Sequence, residues 1–274
     1  PAVATLSPAK PSLAADGQSQ AALVISARDA YNNVVSSPIS LASNLGTTLT
    51  PSVGTLTNGV FTTLIRSGTV AGTGVLTVSI GSLVTTYPVR LLAGPPVVVI
   101  PNTSRVPPRL VADGIDHMTV SARLLDQYGN PVENGTPVNF SLAAPLGTFS
   151  PPQAGTTDGV VTTTLTASTT IGVTDLIVAA GSRQVRRSVE FTIGPPARVN
   201  VVLAPSVITG TGEISATVQV TAEVLDRVGR PVAAGTPVTF ATDQGSFDGA
   251  GASITLGVTA EGKAGATLRI PPTR

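Results

Sequence analysis

From Gln20 to Arg28 every second residue, Ala21, Leu23, Ile25 and Ala27, is apolar, and the residues between them include Ser26 and Arg28. A side-chain period of two is that of a β-strand with one face buried. The same rhythm returns in Met118, Val120, Ala122 and Leu124, and again in Val218, Val220, Ala222 and Val224. The register survives although identities change. Three equivalent strands are predicted, each burying the residues named.

Landmarks around these strands repeat with them. Asp29-Ala30-Tyr31-Asn32-Asn33-Val34-Val35 aligns with Asp126-Gln127-Tyr128-Gly129-Asn130-Pro131-Val132 and with Asp226-Arg227-Val228-Gly229-Arg230-Pro231-Val232, at steps of 97 and 100 residues. Thirteen positions before each Asp stands another acidic residue at a turn: Asp16, Asp113 and Glu213. Self-similarity at a fixed period marks a repeat architecture. Further along, Pro38-Ile39-Ser40-Leu41, Pro137-Val138-Asn139-Phe140 and Pro237-Val238-Thr239-Phe240 open a second alternating strand. Its first position tolerates a missing N–H. Leu45-Gly46-Thr47, Leu146-Gly147-Thr148-Phe149 and Gln244-Gly245-Ser246-Phe247 follow, then Asn58-Gly59, Asp158-Gly159 and Glu261-Gly262. Asn-Gly and Asp-Gly suit the positive φ angles of a tight hairpin.

Copies one and two each continue with two more strands: about Gly74 to Ile80 and Leu83 to Leu91, then Thr174 to Ala180 and Gln184 to Ile193. Roughly seven strands per copy, with a turn every eight to twelve residues, predict an all-β chain of tandem immunoglobulin-like Greek-key β-sandwiches. Joints fall at Gly94-Pro95-Pro96 and Gly194-Pro195-Pro196, giving domains 1–95, 96–195 and 196–274. Proline fixes φ and restricts the residue before it, so these joints favour an elongated rod. Each module should be about 35 to 40 Å long, judged from strand rise, and three in line about 110 Å.

The third copy is expected to be incomplete. Copy two has 31 residues from Leu165 to Pro196, whereas copy three has 6 after the matching Leu268. Its last two strands would be missing, leaving Pro237 to Ala241 unpaired and the core half open. Two readings stay open: the native polypeptide continues beyond Arg274, or an identical subunit supplies the strands in a head-to-tail fibre.

Composition narrows the function classes. Net charge is +1, with 11% charged residues, so no global field exists to hold nucleic acid. No apolar run is long enough for a membrane-spanning helix. The chain opens on Pro1 and not on a signal peptide, and reads as an internal piece of something longer. Without cysteine, stability must come from packing.

Candidate chemistry is sparse. His117, between Asp116 and Met118, is the one histidine, and its spacing suggests neither nucleophile nor oxyanion site. Zinc lacks ligands. Asp113, Asp116, Asp126 and Asn130 are oxygen donors suited to calcium, but Asp113 and Asp126 lie at opposite ends of a strand about 30 Å long, at about 3.3 Å per residue. Arg186 and Arg187 are adjacent and point to opposite faces, so with Arg183 they read as a solvated edge. Tyr31, Tyr87 and Tyr128 are too few for a sugar-stacking platform; Tyr31 and Tyr128 are expected to cover the end of the core. Lys10 and Lys263 are the only lysines, so copy two cannot form an internal isopeptide bond. The sequons at Asn102, Asn134 and Asn139 read as chance. No catalytic, cofactor-binding or metal residue is assigned, and no cofactor is expected.

Ala112-Asp113-Gly114, the alternating strand, Asp126-x-x-Gly129-Asn130-Pro131-Val132, Thr136-Pro137-Val138-x-Phe140 and Gly147-Thr148-Phe149 together resemble the bacterial immunoglobulin-like (Big_1-type) repeats of the invasin and intimin adhesin family. The resemblance covers the whole chain as a scaffold. It departs at Asn32-Asn33-Val34 and at the missing Ala-Asp-Gly of copy three, both turns. It implies a non-catalytic stalk of a bacterial cell-surface or secreted adhesin, extracellular, whose partners are neighbouring immunoglobulin-like domains of the same longer chain. The outer-membrane anchor and binding tip that the resemblance implies are not within these residues. Two alternatives stand beside the stalk: a fibre or sheath subunit contacting identical subunits, and an accessory region of a secreted polysaccharide-active enzyme.

Overall fold

The computed structural model describes residues 1–207 and 215–272; Glu213 of the repeat landmark lies outside them. The first module contains β1 (Val3–Ser7), β2 (Ser12–Ala14), β3 (Gln20–Arg28), β4 (Pro38–Ser43), β5 (Thr48–Thr50), β6 (Val53–Thr55), β7 (Val60–Arg66), β8 (Gly72–Ile80) and β9 (Leu83–Leu92). One sheet has the order β1-β3-β7-β5 and the facing sheet β2-β9-β8-β4-β6. The second module repeats this with β10 (Val98–Thr103), β11 (Arg109–Val111), β12 (His117–Leu125), β13 (Pro137–Leu142), β14 (Gly147–Ser150), β15 (Gln153–Gly155), β16 (Val160–Ala167), β17 (Gly172–Ala180) and β18 (Arg183–Thr192). Its sheets run β10-β12-β16-β14 and β11-β18-β17-β13-β15. Two facing sheets in this order are an immunoglobulin-like sandwich.

The expected seven strands are nine in each of these modules, for two reasons. The opening strand breaks where prolines interrupt its ladder, at Pro8 and Pro11 and again at Pro107 and Pro108. Its second half crosses to the other sheet, where β2 lies parallel to β9 and β11 parallel to β18. A short edge strand, β6 or β15, is also added beside β4 or β13.

The alternation read from the sequence is the packing pattern. Leu23 and Ile25 of β3 meet Leu76, Val78 and Ile80 of β8 in one cluster, while Val120 and Leu124 of β12 meet Leu176, Val178 and Phe191 in another. Burying such a side chain is worth about 1.5–3 kcal/mol, and each cluster holds more than a dozen. Asn58-Gly59 and Asp158-Gly159 form the two-residue hairpins, with φ of 52° and 75° in the first and 50° and 72° in the second. Glu261-Gly262 does not. There Gly262 alone takes positive φ, 69°, and the loop closes more widely, with the Thr259 amide donating to Lys263 O at 2.8 Å.

The third module comprises β19 (Arg198–Ala204), β20 (Ala216–Leu225), β21 (Pro237–Ala241), β22 (Ser246–Phe247), β23 (Ser253–Gly257) and β24 (Lys263–Ile270). Its full sheet is β19-β20-β24-β22. The expectation that residues 237–241 stand unpaired is wrong: β21 pairs antiparallel with β23, from Pro237 opposite Gly257 to Ala241 opposite Ser253. This partner is the equivalent of edge strand β15. Among the described residues the other edge of β21 carries no strand. Val199 and Val201 of β19 are accordingly 54% and 59% exposed, whereas Val99 of β10 is buried.

Candidate functional site

The arrangement with the most built geometry is the joint between successive modules. The turn after β12 begins at Asp126, whose carboxylate is buried and fully engaged. Its Oδ1 accepts from the Tyr128 and Asn130 amides at 2.8 and 2.9 Å; its Oδ2 accepts from Asn130 Nδ2 at 2.9 Å and from the linker amide of Gly94 at 3.0 Å. Burial pushes this carboxyl up, but the bonds from Asn130, Gly94 and Tyr128 outweigh burial and hold it below the usual carboxylate range.

Held in this way, the turn presents two side chains to the module before it. Asn130 Nδ2 donates to Thr69 O at 2.8 Å and Asn130 Oδ1 accepts from the Ala71 amide at 3.0 Å. The Tyr128 hydroxyl donates to Asp16 O at 2.9 Å. A third clamp lies beyond the turn, where Glu133 accepts from the Ala93 amide at 3.0 Å and pairs with Arg90. Asp16 supports the receiving loop. Its carboxylate accepts from the Gln18 and Ser19 amides and from the Ser19 and Ser67 hydroxyls, and these bonds hold it far below the usual carboxylate range.

The second joint reaches the same end by different chemistry. Asp226 is buried and caps its own turn, accepting from the Val228 and Arg230 amides at 3.0 and 2.9 Å. Position 230 is arginine instead of asparagine. Its guanidinium pairs with Asp226 Oδ2 at 2.9 Å and donates onward to Thr169 O at 2.8 Å and Ala112 O at 2.6 Å. Here too burial raises the carboxyl and hydrogen bonds, with the guanidinium's charge, more than offset it. Val228 stands where Tyr128 stood and has no hydroxyl to offer. The longer arginine fork covers both the threonine carbonyl and the loop that tyrosine reached.

The residues singled out from sequence fall as follows. His117 is exposed, with Nδ1 3.1 Å from Ile115 O. Asp113 caps its own turn, accepting from the Ile115 and Asp116 amides, and Asp116 pairs with Arg105 at 2.6 Å. Asp126 and Asn130 come together at the opposite end of β12, each filled by protein donors. Arg186 is exposed beside Asp175, and Arg187 points the other way toward Pro101 O. The expectation that Tyr31 and Tyr128 cover the core is overturned. Tyr31 is 87% exposed, and Tyr128 bonds across the joint, because the Asp turn projects both away from the sandwich. Tyr87 instead donates to Ala4 O at 2.6 Å. Asn130, Arg230 and Tyr128 bond across the joints, a role not assigned to them from the sequence. The usable signal was a fixed Asp followed four positions later by a hydrogen-bonding side chain in every copy: Asn33, Asn130 and Arg230.

Residues 101–194 match the family model described as invasin, domain 3. That match covers the second immunoglobulin-like module, about a third of the chain. Among solved structures, these domains are similar to the Escherichia coli adhesin FdeC, 20% identical, with 98% of this chain and 88% of that chain covered and a TM-score of 0.69. They are also similar to InvD of Yersinia pseudotuberculosis, 18% identical, covering 99% and 82%, with a TM-score of 0.59. At those identities the likeness is one of fold. No curated protein sequence matches. In these immunoglobulin-like domains the joint is built from the same turn, Asp126 to Val132, that the sequence resemblance rested on.

Proposed function

We propose that this chain is a section of the stalk of a bacterial cell-surface or secreted adhesin, non-catalytic and extracellular, with module boundaries at the two Gly-Pro-Pro joints. The observation that carries this reading is the joint chemistry. Each junction buries a carboxylate that orders a turn, and the turn's side chains bond to main-chain groups of the module before it. A flexible tether would need none of these contacts. A stalk transmits position only if its joints resist bending, and bonds at two or three separated points oppose bending in more than one direction. The similarity to an adhesin supports the same reading.

Small-angle scattering and negative-stain imaging of the isolated chain test it. The expected outcome is a monomeric, extended particle with a narrow distribution of end-to-end lengths. Compact particles, or a broad spread of angles at both joints, would rule out the stalk.

A further inference from the structure

The first module carries, at its own leading end, a turn built like the one that closes the first joint. Asp29 Oδ1 accepts from the Tyr31 and Asn33 amides at 2.9 and 2.8 Å, and Oδ2 accepts from Asn33 Nδ2 at 3.0 Å. Asp126 makes the equivalent three bonds to Tyr128 and Asn130 at 2.8, 2.9 and 2.9 Å. Asn32 supplies the positive φ, 66°, that Gly129 supplies at 84°, so the departure from the family pattern leaves the turn intact. The surroundings match as well. The Ala2 amide donates to Arg28 O at 2.8 Å as the Val97 amide donates to Leu125 O at 2.9 Å, and Pro1 lies over Gly81 as Pro96 lies over Gly181.

What differs is cover. Tyr31 is 87% exposed against 44% for Tyr128, and Asn33 is exposed where Asn130 is 9% exposed. The Asp29 carboxylate already fixes Asn33, so its outward amide atoms are aimed before any partner arrives. In the first joint the matching side chains bond to Thr69 O, Ala71 N and Asp16 O, all main-chain groups. Any module with loops of that shape offers them.

We propose that the Asp29–Asn33 turn is a docking socket for the trailing end of another immunoglobulin-like module of this type. Asn33 takes the carbonyl and amide equivalent to Thr69 O and Ala71 N, and Tyr31 takes the carbonyl equivalent to Asp16 O. The proposal rests on the stalk reading and adds the partner and the bonding atoms of one more joint.

The test fuses a second copy of residues 1–95 ahead of the full chain, which recreates a Gly-Pro-Pro linker at Gly94-Pro95-Pro1. The added copy carries Tyr31→Phe, so the remaining Tyr31 reports the new joint alone. Tyrosine nitration, mapped by mass spectrometry, is expected to fall at Tyr31 to the rate of Tyr128. Asn33→Ala beside that Tyr31 should return it toward the rate in the unfused chain. Tyr31→Val with Asn33→Arg, copying Val228 and Arg230, should keep the added module aligned in scattering. Undiminished nitration with a freely swinging added module overturns the proposal, provided circular dichroism shows the added copy folded; if it is unfolded, fusing residues 1–195 ahead, with the same Tyr31→Phe, lets the second module supply the trailing end and decides in the same way. Protection of Tyr31 in the unfused chain by a neutral oligosaccharide also overturns it. The two native joints in the same molecule are the control: if they swing too, the stalk reading fails, and if only the new one swings, the socket alone fails.

Discussion

Asn130 and Arg230 occupy the same position of successive modules and grip the same carbonyl of the module before, Thr69 O and Thr169 O, each at 2.8 Å. One is neutral and short, the other charged and long. The joint is therefore a geometric requirement that two chemistries satisfy, and the neighbouring position compensates: tyrosine beside the asparagine, valine beside the arginine.

Arg230→Ala should loosen the second joint. It removes two charge-assisted bonds across the interface, each worth about 1.5–3 kcal/mol, and leaves Asp226 without its cation. Amide exchange in residues 112–116 and 168–172 should quicken, and scattering should show a wider spread of angles. The double substitution Val228→Tyr with Arg230→Asn transplants the first joint's chemistry and should restore much of the stiffness.

Acid should loosen both joints. Asp126 and Asp226 both have folded-state pKa values below their ordinary value. A depressed carboxylate stabilises the fold above its unfolded pKa, near 4, and that contribution is lost as pH falls through the lower folded value. Between pH 6 and 5 stiffness should be unchanged; below pH 4 the protection of the amides around Gly94, exchange taken relative to its intrinsic rate at each pH, should fall. Asp126→Asn should weaken the first joint at neutral pH and flatten its acid response while leaving the second joint's response in place.

Core and surface positions on the equivalent strands β16 and β7 should separate cleanly. Leu165 is 0% exposed, and Leu165→Ala should cost about 2–5 kcal/mol of the second module's stability. Leu64 of β7 is 47% exposed, and Leu64→Ala should change the first module's stability by less than about 0.5 kcal/mol. Denaturant titration followed by amide exchange, module by module, checks both.

Gly159 and Gly129 both have positive φ, 72° and 84°. A Cβ at Gly159 would stand 2.8 Å from Pro131 Cβ and 2.9 Å from Leu124 O, whereas one at Gly129 would meet nothing within 4 Å. Gly129→Ala should cost only the backbone strain, about 1–2 kcal/mol. Gly159→Ala should cost more, read as a larger drop in melting temperature.

The sandwich was legible because its determinant is local: Val120 and Val220 repeat an in-and-out rhythm, and both are buried, at 0% and 7% exposure. The crossing of the first strand was less so, since Pro8 and Pro107 announce a break but not the sheet on the far side. The partner of β21 was not legible although Ser253-Ile254-Thr255-Leu256-Gly257 alternates, because a five-residue edge strand set among Gly249, Gly251 and Gly257 is hard to tell from a loop. The joints were placed by their Gly-Pro-Pro runs, but the bonding across them was not legible, for a different reason. Asn130 and Arg230 read as turn residues, and only three-dimensional placement brings Thr69 and Thr169 beneath them.

Every group that the first module offers Asn130 and Tyr128 belongs to its backbone. For these two side chains the receiving loops need only keep their path, and the Arg90–Glu133 pair adds the side-chain contact described above. Units of such a chain are interchangeable parts: a gene could duplicate, delete or shuffle them and the couplings would still mate, so that the length of the array could change over generations without any joint being reinvented.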